Sequence, residues 1–256
     1  MTDSSKIQIL AEAPVARITL NRPEKLNALD PEMLVGLEAG LGVIEARQDI
    51  RVVILQASGE KAFCVGADIN AWTALTPLQM WSDWIRHGHR VFSRLIQLRQ
   101  PVICSIQGMA FGGGLEIALA SDIRIAGELA RFAMPEVKLG TVPGWGGTAR
   151  LPELVGTGRA RQMIFSGEPI SAAVAEHWGL VNEVVSNDRL SQRVQELASR
   201  IAANAPVAVQ TAKQLIAGSN TATLESIAAA TNAFTQDAAE GLAAFREKRN
   251  PSFQGL

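Results

Sequence analysis

Two carboxylates and two glycine-bearing loops carry the chemistry that this chain offers. In "GGGLEIALASD" (112–122) three glycines precede an apolar run that reads as a buried helix, with Glu116 near its start. Glycine tolerates positive φ and close approach, so the triplet reads as a tight turn delivering a helix N-terminus, with its free amides, to another group. Taken alone, Glu116 is explained as an acid favoured by the helix dipole. Further along, "MPEVKLGTVPGWGGT" supplies a second acid, Glu136, between Pro135 and a Gly-rich loop, and "KAFCVGADI" supplies a second loop, Gly66-Ala67-Asp68. Two acids beside amide donors from two loops suit proton transfer next to a carbonyl whose oxygen gains charge.

Other chemistries lack their residues. The chain has no GxxxxGK[ST] and no GxSxG, and His87, His89 and His177 have no HxxxH partner, so no metal site is expected. His87 and His89 read as structural or solvated. "GTGRAR" at Gly156 is half of a dinucleotide fingerprint without a strong strand before it and reads as a turn. Tyrosine is absent, which leaves proton transfer to carboxylates. Cys64 and Cys104 are too far apart in sequence for a zinc ribbon and read as buried free thiols.

The elements that must hold these groups alternate. "VARITL", "RVVILQA" and "PVICSI" read as strands followed by helical patterns, and "DIRIA" and "ARFAM" as further short strands, which gives an α/β class. Asp30 before Pro31 predicts a capped helix start. Beyond Pro152 helical periodicity dominates, with "NEVV" the main strand candidate, so we expect a core over 1–195 and a helical region over 196–256. Of 256 residues, 47% are hydrophobic and 19% charged, and the formal charge is −1. That balance gives no global field for nucleic acid or an anionic membrane. The N-terminus "MTDSSKIQIL" carries no secretory pattern and no apolar run approaches the ~20 residues of a spanning helix, so a cytoplasmic location is expected.

The segments "NRPEKLNAL", "KAFCVGADI", "IQGMAFGGGLEIALASDIRIA", "RFAMPEVKLGTVPGWGGTARLPELVG" and "EGLAAFREKR", in this order, resemble the crotonase (enoyl-CoA hydratase/isomerase) superfamily from about Val15 to Phe253. The resemblance implies a spiral of repeated ββα units with C-terminal helices that form a homotrimer or a dimer of trimers. It implies an acyl-CoA thioester as substrate, with coenzyme A arriving as part of it and no separate cofactor. By motif, the amides holding the thioester oxygen fall on Ala67 and Gly113. The hydratases resembled use two glutamates, matched by Glu116 and Glu136, whereas members that shift a double bond generally need one. The implied activity is therefore addition of water to a 2-enoyl-CoA, Glu116 acting as base toward a water that Gly144 N–H helps to position and Glu136 supplying the α-proton. Isomerase or carbon–carbon lyase chemistry is the alternative, and a scaffold or RNA-binding member a remote one.

Coenzyme A contacts are implied at Glu24, Lys25 and Leu26, at Asp68 and Ile69, and, across subunits, at Phe245 and Lys248. Lys248 reads equally as a solvated helix lysine. Asn70 stands where lysine is common, and Trp145 where many hydratases carry alanine, so an indole there reshapes the acyl pocket. Trp72, Trp81 and Trp84 line the acyl side or belong to core or interface.

Overall fold

The computed structural model describes residues 6–218 and 221–256; the first five residues of the N-terminal stretch considered above lie outside them. Among the described residues ten strands fall into two sheets. β1 (Ile7–Leu10), β2 (Val15–Leu20), β3 (Val52–Ala57), β5 (Val102–Ile106), β7 (Ile123–Gly127) and β10 (Glu183–Val185) form the larger in the order β1-β2-β3-β5-β7-β10. β4 (Ala62–Cys64), β6 (Met109–Phe111), β8 (Arg131–Ala133) and β9 (Ile170–Ser171) form the smaller in the order β4-β6-β8-β9. Only the pairs β1–β2 and β8–β9 are antiparallel among these strands.

The chain lays down one strand in the large sheet, one in the small sheet and then helix, three times over. β3 and β4 lead to α2 (Ile69–Thr73), α3 (Pro77–Gln79), a π-helical turn (Met80–Ile85) and α4 (Arg86–Gln97). β5 and β6 lead to α5 (Gly113–Leu119). β7 and β8 lead to a 3-10 turn (Glu136–Leu139), α6 (Gly147–Val155) and α7 (Thr157–Ser166). This is the repeated ββα spiral, reached from strand order alone. "GTGRAR" departs from the turn expected of it: Gly156 turns at φ +80°, but from Thr157 the residues form α7.

Apolar residues alternate across the large sheet as a strand buried on both faces requires. Val52, Ile54, Ile103 and Ile125 meet Leu190, Val194, Ala198 and Ala202 of α9 (Asn187–Ala202), which recur at helical spacing on one face. Val53, Leu55, Val102 and Cys104 point to the main core, where α1 (Pro31–Glu45) also packs. Asp30 caps α1 by accepting from Met33 N at 2.9 Å, with Pro31 at the first helical position, as the sequence predicts. Cys64 and Cys104 are free and buried, and burial pushes both thiols up to about 12.

The division expected between 195 and 196 falls inside α9, which is continuous against the sheet. After α8 (Ala172–His177) and α9 come α10 (Pro206–Ala217), α11 (Thr221–Ala233) and α12 (Gln236–Glu247). Among the described residues no helix is long and apolar enough to cross a membrane.

Candidate active site

The site gathers where α5 begins. Gly112 takes φ +52° and its N–H donates to Ala133 O at 2.9 Å, so the turn hangs from the end of β8. A Cβ on Gly114 would stand 2.0 Å from the Cys64 carbonyl oxygen; glycine alone lets α5 seat on β4 this closely.

Ala67 and Gly113 come together. Leu29 pairs with Ala67 in a parallel bridge, Leu29 N donating to Gly66 O and Asp68 N to Leu29 O, both at 2.7 Å. Neighbouring peptide groups of an extended segment point opposite ways, so this bridge turns the Ala67 N–H away from Leu29 and toward α5. A Cβ on Gly66 would lie 3.2 Å from Gly113 N, and one on Gly113 would lie 3.6 Å from Ala67 N. Neither amide has an acceptor among the described residues. Two unpaired N–H groups from two loops thus lie close together, where a carbonyl oxygen gaining charge could use both.

The two glutamates sit in unlike surroundings. Glu116 is buried, and its Oε1 accepts from Trp145 N at 2.7 Å and Gly147 N at 2.8 Å. Burial raises its pKa, while the Gly147 and Trp145 amides, the Arg150 charge and the Gly144 amide pull it back down. Glu136, at the start of the 3-10 turn, has both oxygens out of solvent with no hydrogen-bond partner among the described residues. A Cβ on Gly112 would stand 3.0 Å from its Oε1. Burial first, with the Glu116 charge adding to it, pushes the Glu136 carboxyl up to about 7. Burial thus raises both acids, but only Glu116 has backbone donors and a nearby guanidinium that oppose the rise. Because the two interact, their protons belong to the pair.

An aromatic cluster backs the amides. Trp145 is 2% exposed; its ring lies 5.1 Å from that of Trp84 and 5.3 Å from that of Phe92. Its edge would stand 2.6 Å from a Cβ on Gly113, and its Nε1 2.1 Å from a Cβ on Gly88 of α4, so both glycines make room for the indole. Trp84 is core, Trp72 packs partly buried against the core, and Trp81 is exposed.

The remaining expected residues lie at the periphery. Glu24 and Lys25 are exposed on a 3-10 turn, Pro23–Lys25, that ends at Leu26 with φ 52°. Beside it a cleft of about 350 Å³ runs between Pro23, Leu26 and Lys61. The Asp68 carboxylate accepts from Arg22 Nη1 at 2.7 Å and from Asn70 N at 3.0 Å, so it is committed to bracing α2, and Arg22 lowers its pKa. Ile69 is exposed beside it. Phe245 stands exposed on α12 and Lys248 ends that helix at φ 54°. His87 is structural: it meets Glu38 of α1 at 3.2 Å. Among the described residues no three His, Cys, Asp or Glu side chains gather so as to hold a metal ion.

Sequence reasoning did not single out Arg22, Arg150 or the amides of Trp145 and Gly147. Both arginines flank motifs that it used, "NRPEKLNAL" and "GWGGTAR", and a buried acid near a Gly-rich loop was the signal to seek its donors.

Comparison with known proteins gives the family and the fold. The family described as enoyl-CoA hydratase/isomerase matches residues 11–255. The chain belongs to that family. It is 43% identical to the short-chain-enoyl-CoA hydratase of Clostridium acetobutylicum, over 93% of each chain. It is 36% identical to the crotonyl-CoA hydratase of Syntrophomonas wolfei, over 94% of this chain and 95% of the other. An enoyl-CoA hydratase structure from Bacillus anthracis superposes with a TM-score of 0.94 at 39% identity, over 98% of this chain and all of that one.

Proposed function

We propose that the protein adds water across the α,β double bond of a 2-enoyl-CoA thioester to give a 3-hydroxyacyl-CoA. The observation that carries this reading is the pair of glutamates, one bonded by two backbone amides and the other shut from solvent without a partner among the described residues, beside two unpaired amides. The thioester oxygen accepts from Ala67 N–H and Gly113 N–H. A water between the carboxyls, steadied by Gly144 N–H, loses a proton to Glu116 as its oxygen bonds to C3. The π electrons move toward the thioester oxygen, where each preorganised donor is worth roughly 2.7–4 kcal/mol in the transition state. Glu136 then gives its proton to C2, and the proton taken up by Glu116 returns to the pair; the reverse order dehydrates.

Coenzyme A is the carrier part of the substrate and no separate cofactor takes part. The loop at Glu24, Lys25 and Leu26, with the adjoining cleft, receives the nucleotide end. Asp68 and Ile69 contribute through their backbone, since the Asp68 side chain is engaged by Arg22. The buried indole of Trp145 against Gly113, together with relatives named as short-chain and crotonyl-CoA hydratases, supports a short acyl group. Phe245 and Lys248 reach the nucleotide of a neighbouring subunit in a homotrimer or dimer of trimers, a reading supported by exposed apolar side chains in the C-terminal region: Ile216, Phe234 and Phe245 are 85%, 92% and 84% exposed. We place the protein in the cytoplasm.

Product analysis tests the reaction. Incubation with crotonyl-CoA is expected to give the 3-hydroxyacyl thioester. A 3-enoyl product from a longer 2-enoyl-CoA, without hydration, would mark an isomerase instead, and RNA binding without turnover a scaffold.

A further inference from the structure

The loop from Gly144 to Gly147 contains three glycines, yet two of its amides converge on a single oxygen of Glu116. Their peptide planes need a second anchor. Arg150, in the first turns of α6, supplies it: Nη1 donates to the Trp145 carbonyl at 2.8 Å. A Cβ on Gly146 would lie 2.5–2.8 Å from Nη1, Cζ and Nη2, so the guanidinium lies against the Gly146 backbone, which takes φ +104°. The peptide whose carbonyl Arg150 holds is followed directly by the Gly146–Gly147 step that presents the second amide to Glu116.

We propose that Arg150 is a positioning residue for hydration: its guanidinium fixes the Gly144–Gly147 loop so that two amides meet Glu116, and its charge faces that carboxylate. This rests on the reading of Glu116 as the base toward water. A planar fork suits the task, because it can bond a carbonyl while covering a neighbouring peptide, and it stays charged throughout the working range. Burial lowers the proton affinity of Arg150, and Glu116 and Glu153 counter it. The charged groups facing Glu116 among the described residues are Arg150 from α6 and Glu136 from the 3-10 turn. β4 and β6, against which α5 packs, present Ala62, Phe63, Cys64, Met109, Ala110 and Phe111, none of them charged. Arg150 is therefore the side chain that favours the anion of Glu116 while Glu136 opposes it.

The test is the pH dependence of kcat/KM for crotonyl-CoA hydration in wild type, Arg150→Gln and Arg150→Lys, beside calorimetric binding of butyryl-CoA. Arg150→Gln is expected to lower kcat about tenfold or more and to move the acid limb up by about one pH unit, with butyryl-CoA affinity within about threefold. Arg150→Lys should restore the acid limb but not kcat, because a point charge replaces the field and not the fork. A wild-type kcat in Arg150→Gln overturns the proposal, and so does a reduced kcat with an unmoved acid limb. Should Arg150→Gln not fold, Arg150→Lys decides: reduced kcat with the wild-type limb sustains the proposal, and wild-type kcat overturns it. If the wild type binds butyryl-CoA but hydrates nothing, the reading of the reaction has failed. Arg150 is then judged by melting temperature against pH, comparing Glu116 with Glu116→Gln in the wild-type and Arg150→Lys backgrounds and in Arg150→Gln where it folds. An unchanged profile in Arg150→Lys with a shifted one in Arg150→Gln sustains the electrostatic part. A shift in Arg150→Lys overturns it, as does identity across all backgrounds.

Discussion

Glu136 has two oxygens shut off from water and unmatched by any donor among the described residues, a costly state for an anion and a tolerable one for an acid. Its carboxyl moves from an ordinary 4.5 to about 7 on folding. Between those values the folded chain binds more protons than the unfolded chain, so this group's contribution to stability falls as pH rises through the window. Glu136→Gln removes that titration. We expect the variant's melting temperature, relative to wild type, to climb from pH 4.5 to above pH 7 and then level off. The free-energy change should be on the order of 2 kcal/mol or less, since Glu136 is only partly buried. Thermal scans across that range check it, and a difference independent of pH would contradict it. In the proposed mechanism the same proton goes to C2, so kcat/KM for hydration should fall as pH rises past about 7. Both glutamates were legible in sequence because glycine turns frame them. Their unlike surroundings were not, because the donors to Glu116 arrive from Trp145 and Gly147, 29 and 31 residues away.

At the scale of elements, α5 aims the site and β4 sets its height. Gly114→Ala would drive a methyl group to 2.0 Å from a backbone oxygen that cannot turn aside. We expect a loss of roughly 1–3 kcal/mol or more, with hydration falling as well because Gly113 N–H is displaced; urea unfolding and steady-state rates check the two effects, and wild-type values in both would contradict this seating. Trp145→Ala should cost roughly 3–5 kcal/mol by leaving a cavity between Trp84 and Phe92. If the indole also limits the acyl group, the variant should lose the wild type's preference for crotonyl-CoA over longer 2-enoyl thioesters. The long strands and the Asp30–Pro31 helix start were readable from their patterns. β4 and β6 have three residues each, too few to display a period of two, so the second strand of the first two repeats came into view only through strand pairing, whereas β8 was read within "ARFAM". The strand at Glu183–Val185 was legible for its β-branched pair, and α7 was missed because glycines at 156 and 158 mask a helix start.

For the whole molecule, the large sheet packs against α9, and the stretch from α10 to α12 exposes Ile216, Leu224, Ile227, Phe234, Leu242 and Phe245. Patches of that kind mark association surfaces. Sedimentation equilibrium is expected to give a trimer or a multiple of it, and Phe234→Asp to weaken the assembly while leaving the core folded; an active wild-type monomer would remove the proposed contacts of Phe245 and Lys248 across subunits. In the proposed mechanism the reaction turns on two acids acting as a pair. The direct measurement is the loss of enoyl-thioester absorbance with crotonyl-CoA in wild type, Glu116→Gln and Glu136→Gln, each confirmed folded. We expect kcat to fall by at least about a hundredfold in each variant, the usual reach of one general acid or base. A wild-type rate in either variant would contradict the two-carboxylate mechanism.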